Sequence, residues 1–217
     1  MEFDTCRVLS TFVIHLNPIK DDAINVNIRE LFSKLGGIKP AVGADFKPML
    51  EEELFVLEST LNCRLPEDYR TFLMKFGAIV FQGLSLDNPY VFFRSLERLP
   101  AHISTDGIGI FDAFYGADVE GRNAYSLSQR INFYKGRMPS SVIPIGDDGG
   151  AGIICLAFRN GNLGKVFYWD QQNESLSDEE YFADYSVPKP PDAIYKNMYL
   201  VANSFLDFLG QLQLSLL

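Results

Sequence analysis

The chain has 217 residues, of which 47% are hydrophobic and 22% charged, a composition typical of one soluble globular domain with a proper core. Its formal net charge of −9 would repel nucleic-acid phosphates and an anionic membrane surface, and no stretch approaches the roughly 18 apolar residues of a membrane span. The opening residues carry Glu2 and Asp4 where a secretory signal would carry basic residues, so we expect a cytoplasmic protein.

The first part of the chain has the weakest pattern. We interpret residues 1–45 as an N-terminal extension of unclear structure, followed by a domain at residues 46–217. Within the extension, "NIRELFSKLGG" predicts a short helix that ends at Gly36 and Gly37. Pro40, Gly43 and Pro48 then indicate a connector.

Two consecutive helices are predicted next. "MLEEELFVLESTLN" has three glutamates in its first turn, where carboxylates suit the positive end of the helix dipole. Its apolar stripe consists of Leu50, Leu54, Leu57 and Leu61. "LPEDYRTFLMKFG" restarts a helix near Pro66, and Gly77 can stop it. Its apolar face consists of Tyr69, Phe72, Leu73 and Phe76.

The pattern then changes to short strands. "AIVFQG", "YVFFRSL", "VIPIG", "GIICLAF" and "KVFYWD" are rich in β-branched and aromatic residues, and "NAYSLSQRINFYKG" predicts one helix between them. The pair Asn160–Gly161 indicates a tight turn, because both residues tolerate positive φ. Short connections imply antiparallel neighbours. The sequence therefore predicts an α+β fold with an antiparallel sheet of four to six strands and helices packed around it.

The C-terminal part has two predicted pieces. "QQNESLSDEEYFADYSVPKPPDAIY" is a polar, proline-containing excursion, which we expect to be a loop. "YKNMYLVANSFLDFLGQLQLSLL" predicts a final helix packed on the sheet. Its stripe consists of Met198, Val201, Ala202, Phe205, Leu209 and Leu212.

These motifs occur in an order that resembles the SUKH superfamily, whose founding members are the fungal Smi/Knr cell-wall regulators. A helix with Glu58 near its end leads into "LPEDYRTFLMKFG", and "IPIGDDGGAG", "GKVFYWD" and "VANSFLDFLGQL" follow. The likeness covers roughly Leu50 to Leu212. It implies a SUKH-like fold of about four strands with packed helices. It also implies a role in protein binding, because bacterial members are largely immunity proteins that neutralise toxin domains, many of them nucleases.

The motif "DDGGAG" raises the question of a ligand site. Asp147 and Asp148 could supply oxygen ligands to a metal ion, but a calcium loop needs further oxygens at alternate positions. A phosphate loop needs a lysine and a following helix, whereas a strand-like run follows here. We therefore expect a tight turn, whose aspartates remain candidates for contact with a partner.

Other catalytic or metal-binding patterns are weak. The cysteines Cys6, Cys63 and Cys155 are far apart and favour buried reduced thiols over a zinc site or disulfide framework. His15 lies in an apolar run, and His102 lies in a predicted loop, and no nucleophile-elbow motif supports a Ser-His-Asp set. A carboxylate pair of the glycosidase type stays open, because many acidic residues are present. We expect a protein that is not an enzyme and needs no metal or cofactor.

The candidate binding residues are mostly acidic. Six carboxylates lie between Asp170 and Asp184, no lysine or arginine occurs between Lys165 and Lys189, and aromatic residues interleave with them. This segment is either a solvated loop or a docking surface for a basic partner. Trp169 is either a core residue or an interface anchor. The candidate partner-binding set is Asp147, Asp148, Trp169, Asp170, Glu174, Asp178, Glu179, Glu180, Tyr181 and Asp184.

Three functional hypotheses follow. The first is an immunity protein that binds and neutralises a basic, possibly nuclease, toxin domain. The alternative is a regulatory scaffold like the fungal Smi/Knr relatives. A small-molecule binder or hydrolase is the least favoured of the three, because no catalytic motif supports it.

Overall fold

The computed structural model describes residues 27–82, 90–118, 123–159 and 161–214. Its helices are α1 at residues 27–34, α2 (Glu51–Leu61), α3 (Glu67–Lys75), α4 (Leu127–Phe133), α5 (Asp178–Tyr185) and α6 (Phe205–Gln211). Its strands are β1 (Ile38–Pro40), β2 (Ile79–Phe81), β3 (Val91–Arg94), β4 (Ile108–Phe111), β5 (Ala113–Phe114), β6 (Val142–Asp147), β7 (Gly152–Ala157), β8 (Val166–Asp170) and β9 (Met198–Ala202). Short 3-10 turns occur at Asn123–Tyr125, Gln171–Asn173 and Ala193–Tyr195.

Seven strands form one sheet in the order β1-β2-β5-β6-β7-β8-β9, and β3 pairs with β4 in a separate ribbon. All of these strand pairs are antiparallel. The predicted α+β class is therefore confirmed. The sheet exceeds the expected four to six strands because β1, β5 and β9 were not expected. Strands β1 and β5 contain only three and two residues, which is too short for a visible sequence pattern, and β9 was expected to be part of a helix.

The described part of the predicted N-terminal extension joins the same core. The helix expected in "NIRELFSKLGG" is present as α1, and it buries Ile28 and Phe32. Strand β1 extends the sheet, with Ile38 opposite Phe81 of β2. The division into residues 1–45 and 46–217 stays a prediction, and residues 1–26 lie outside the described range.

The main core lies between one sheet face and helices α3 and α6. Phe72 of α3 places its ring centroid 4.9 Å from that of Phe114 and 5.2 Å from that of Phe205 on α6. On the opposite face, Trp169 packs against Tyr134 in a smaller cluster, with ring centroids 5.4 Å apart. Successive side chains of β8 alternate between the two clusters, because Tyr168 belongs to the main core and Trp169 to the smaller one.

Three expectations fail. The final helix was expected from Met198, but Met198–Ala202 form strand β9, which pairs with β8, and the helix begins only at Phe205. The polar excursion expected to be a loop contains helix α5. Cys63 is disulfide-bonded, so the expectation of reduced thiols is wrong for this residue, whereas Cys155 is free and buried. The turn predicted at Asn160 lies outside the described residues.

A buried ion pair connects α2 to α3. Glu58 and Arg70 form a short salt bridge and are each less than a tenth exposed. The second oxygen of Glu58, Oε1, accepts a hydrogen bond from the backbone N–H of Leu65 at 2.7 Å. One carboxylate thus contacts both the connecting segment and the second helix, and this fixes the angle between the helices.

We expect Glu58→Ala to lower the free energy of unfolding by about 3–5 kcal/mol, because it removes the nearer of the two carboxylates that face the buried charge of Arg70 and leaves only Glu67, 3.7 Å away. Urea denaturation followed by circular dichroism measures the change. The control is Glu51→Ala on the exposed side of the same helix, for which we expect a change within about 0.5 kcal/mol. Equal midpoints for the two variants would contradict a structural role for the pair.

Candidate interaction surface

The hairpin between β6 and β7 uses its two aspartates to hold a turn. Asp148 Oδ1 accepts hydrogen bonds from the backbone N–H groups of Gly150 at 2.8 Å and Gly152 at 2.9 Å. Asp147 Oδ1 accepts one from the N–H of Gly149 at 3.0 Å. Gly149 has a φ of 74°, in the left-handed region that favours glycine. The prediction that "DDGGAG" forms a turn is confirmed.

Two buried tyrosines occupy the remaining carboxylate oxygens. Tyr115 donates its hydroxyl to Asp147 Oδ2 at 2.7 Å, and Tyr168 donates to Asp148 Oδ2 at 2.8 Å. Burial raises the pKa of both tyrosines, and the neighbouring aspartate charges raise it further, so both hydroxyls stay protonated donors. A Cβ atom on Gly152 would overlap the Tyr168 hydroxyl. Both aspartate side chains are therefore engaged in hydrogen bonds that hold the hairpin.

Trp169 and Asp170 lie below the surface. Trp169 is fully buried, and Asp170 is almost so. The Asp170 carboxylate lies 2.8 Å from His102 Nε2 and accepts a hydrogen bond from Asn173 Nδ2 at 2.7 Å. The side chain of Asn197 donates to the Asp170 carbonyl at 2.8 Å. Both residues thus support the end of β8, and their place in the partner-binding set stays a prediction.

Glu174 anchors the segment that leads from β8 to α5. Its carboxylate forms a two-pronged ion pair with Arg137, in which the Nε–Oε1 distance is 2.8 Å. The Arg137 guanidinium also lies over the rings of Phe133 and Tyr134, 5.0 and 5.2 Å from their centroids. The segment is thereby held against the C-terminal end of α4.

Helix α5 presents the exposed part of the acidic segment. Its start is a capping box, in which the Ser177 hydroxyl accepts from the N–H of Glu180 at 3.2 Å and Glu180 Oε2 accepts from the N–H of Ser177 at 2.9 Å. These hydrogen bonds lower the pKa of Glu180, which stays ionised to more acidic pH. The exposed carboxylates of the helix belong to Asp178, Glu179, Glu180 and Asp184.

Aromatic side chains accompany these carboxylates. No residue of α5 is buried, and Phe182 and Tyr185 are 58% and 60% exposed. Tyr181 is half-buried and packs against Tyr185, with ring centroids 4.6 Å apart. Large aromatic side chains that remain exposed on a helix are typical of a binding surface.

The structure thus divides the candidate residues into two groups. The α5 group consists of Asp178, Glu179, Glu180, Tyr181 and Asp184 on one exposed helix. The other five lie in the hairpin, in β8 or in the loop after it, and make the hydrogen bonds and packing contacts given above. Among the described residues, the only ion pair of the α5 group joins Asp178 to Lys189, with 3.9 Å between the charged atoms.

Sequence reasoning missed a second exposed feature. Phe55 and Val56 of α2 are 61% and 63% exposed. The predicted leucine stripe is right for the buried Leu54 and Leu57, but it is wrong for Leu50, which precedes the helix and is 62% exposed. The signal was present, because two large apolar residues lie off the predicted stripe. Within the described ranges, no helix has the length and apolarity to cross a bilayer, and no three potential ligand side chains converge to hold a metal ion.

Asp112 lies beside the hairpin and gives a pH-dependent prediction. Burial raises the pKa of its carboxyl, and the charges of Asp147 and Asp148 raise it further. A carboxyl whose pKa is higher in the folded state stabilises the protein below its ordinary value of 3.8, and this contribution is lost as the pH rises through the folded-state pKa. We therefore expect Asp112→Asn to increase the free energy of unfolding at pH 7.

Urea denaturation between pH 3 and pH 7 measures this effect. The increase in the free energy of unfolding of Asp112→Asn over the wild type should become smaller as the pH falls. The control is Asp106→Asn, because hydrogen bonds from Ser104 and Ile108 lower the pKa of Asp106. That variant should not be stabilised at pH 7. A gain for Asp112→Asn that grows as the pH falls would contradict the assignment.

The chain is similar to proteins of a known family. The sequence model of the SMI1 / KNR4 family (SUKH-1) matches residues 48–211. An SPbeta prophage-derived uncharacterized protein, YokK, of Bacillus subtilis (strain 168) is 30% identical over 164 residues, which cover 74% of this chain and 73% of that protein. These matches confirm the resemblance expected from Leu50 to Leu212. The chain belongs to the SMI1 / KNR4 family (SUKH-1).

Proposed function

We propose that this protein is a non-enzymatic immunity protein that binds and neutralises a basic toxin domain, with α5 as the principal contact surface. The observation that carries the proposal is a helix without a buried residue that combines four exposed carboxylates with two exposed aromatic side chains. Family membership supports it, because the bacterial members of the SUKH superfamily are largely immunity proteins.

The arrangement of α5 suits a partner that covers the whole helix. At helical spacing, Tyr181, Phe182 and Tyr185 fall on one side, and Glu179, Glu180 and Asp184 fall on the other. Carboxylates at these positions can pair with the lysines and arginines that a nuclease uses to hold phosphates. The aromatic rings supply short-range binding energy once the surfaces meet.

The charge of the whole molecule supports fast association. A net charge of −9 attracts a basic partner over a distance, and steering of this kind raises association rates by roughly 10- to 1,000-fold at low salt. An inhibitor that must reach a toxin before the toxin reaches its substrate benefits from such a rate. The ion pair between Glu174 and Arg137 then holds the segment that leads from β8 to α5 in place.

The direct experiment pairs this protein with a toxin. A toxin-like domain encoded beside this gene is expressed in a heterologous host with and without the protein, and survival and complex formation are measured. Rescue together with a stable complex supports the proposal. A toxin that stays active and unbound in the presence of this protein overturns it, as does recovery of only a signalling or cell-wall enzyme, which the regulatory-scaffold hypothesis expects.

We expect Glu179→Lys with Asp184→Lys to slow association with the toxin domain at least tenfold at low salt, because two attractive charges become repulsive. Phe182→Ala should instead raise the dissociation rate, because it removes contact area without changing charge. Surface plasmon resonance over a range of salt concentrations separates the two effects. The charge effect should fade near an ionic strength of about 1 M, where the Debye length is about 3 Å.

The matched control is Glu30→Lys with Asp45→Lys, which changes the net charge equally at exposed positions on other elements. Its association rate should fall much less than that of the α5 variant. Equal slowing by both double variants would show that only the total charge matters, and it would remove α5 from the contact surface.

A further inference from the structure

A groove separates α2 from α4, and it is distinct from the α5 surface. Two adjoining ridges of α2 form one wall, and each consists of residues four apart in the sequence. One ridge consists of Glu52, Val56 and Thr60, and the other consists of Glu53, Leu57 and Leu61. Ser128, Ile131 and Asn132 of α4 form the other wall. Because its walls follow the ridges of a helix, the groove runs along α2.

The groove is large enough for several side chains. Its volume is about 470 Å³, and a neighbouring depression of about 530 Å³ continues it. The two share Thr60, Leu61, Ile131 and Asn132, so they form one channel. From Glu53 to Leu61 the wall is about 12 Å long at 1.5 Å per residue, which equals rather more than two turns of a helix lying beside it.

The lining is apolar and partly uncovered. Met49, Leu57 and Ala117 are buried at the bottom of the groove, and Ile131 is half-buried on its wall. Val56 stands 63% exposed above them. An apolar side chain gains about 25 cal/mol for each Å² removed from water, so a partner that covers Val56 and Ile131 stabilises the complex.

Negative charge lies on the apolar groove between α2 and α4. Glu52, Glu53 and Asp118 line it, and among the described residues no lysine or arginine lines this part, whereas the neighbouring depression has Lys135 and Arg159 in its lining. Asp118 is held in place by the Ser128 hydroxyl, which lies 2.9 and 3.0 Å from its two oxygens. The groove between α2 and α4, apolar with a carboxylate rim, is complementary to an amphipathic segment that carries lysine or arginine beside its apolar stripe.

We propose that this groove binds one cationic amphipathic α-helix of a protein partner, with the apolar stripe against Val56 and Ile131 and basic residues beside Glu52, Glu53 and Asp118. The inference rests on the proposed function, because the helix would belong to the protein that this chain neutralises. A second copy of the chain is a poor occupant, because it carries the same net charge of −9.

The test uses the full chain and a synthetic probe. The probe is a fluorescent 15-residue helical peptide with leucine at i, i+3, i+4 and i+7 and lysine at the other positions. A second peptide has glutamate in place of lysine. We expect the lysine peptide to bind with a salt-dependent affinity measured by fluorescence anisotropy, and the glutamate peptide to bind at least tenfold more weakly. Equal binding of both peptides overturns the charge assignment.

Matched variants locate the site. Val56→Asp and Glu52→Lys should each lower the affinity for the lysine peptide at least fivefold. The first variant places a charge in the apolar wall of the groove, and the second places a repulsive charge on its rim. Leu163→Asp, an equally exposed apolar position elsewhere, and Glu51→Lys, on the same helix turn outside the groove, should change its affinity less than twofold. Circular dichroism confirms that each variant is folded. Unchanged binding by Val56→Asp overturns the proposal.

The same variants separate this inference from the proposed function. If the toxin domain binds and Val56→Asp weakens both toxin and peptide, the groove holds a helix of the toxin. If the toxin binds the wild type and Val56→Asp equally, the groove assignment fails while the immunity function stands. If no toxin domain binds at all, the proposed function fails, and with it the identity of the helix donor.

Discussion

The carboxylate of Glu58 is the constraint on which the arrangement of the helices depends. It is buried between α2 and α3, where it pairs with Arg70 and accepts the backbone N–H of Leu65. Removing two charges from water is costly, and the cost is offset only when both partners are well placed. The pair therefore favours the relative orientation of the two helices in which both contacts of Glu58 form. That orientation directs Leu54 into the core and leaves Val56 facing α4.

Carboxylates in this protein have different roles because their surroundings differ. Those of Asp147 and Asp148 accept hydrogen bonds from backbone N–H groups and buried tyrosines, so their charge stabilises a turn. Those of Glu179 and Asp184 face water on α5, where a basic partner can approach them. The number of acidic residues alone says little about function. Exposure and the presence of internal donors decide which of them a partner can use.

Sequence patterns predicted the long or strongly periodic elements well. Helix α3 and the β6-β7-β8 meander follow the expected patterns, because each buries a regular face. The strand at Met198–Ala202 was mistaken for helix, because its pairing with β8 is a contact distant in sequence that no local pattern contains. Helix α5 was missed for a different reason. Its polar composition suggested a loop, although Ser177 and Glu180 have the spacing of a capping box.

The surface was harder to predict than the fold, and the reason is physical. The alternation of side chains along a strand places Trp169 on one side of β8, but only the packing of Tyr134 against Trp169 shows that this side is covered. The same applies to Phe55 and Val56, which any helical pattern would place on the outside of α2. Whether an outside residue faces bulk water or a groove depends on where α4 lies, and α4 is more than 60 residues further along the chain. Grooves of this kind arise from the distance between elements, which the periodicity of the sequence does not encode.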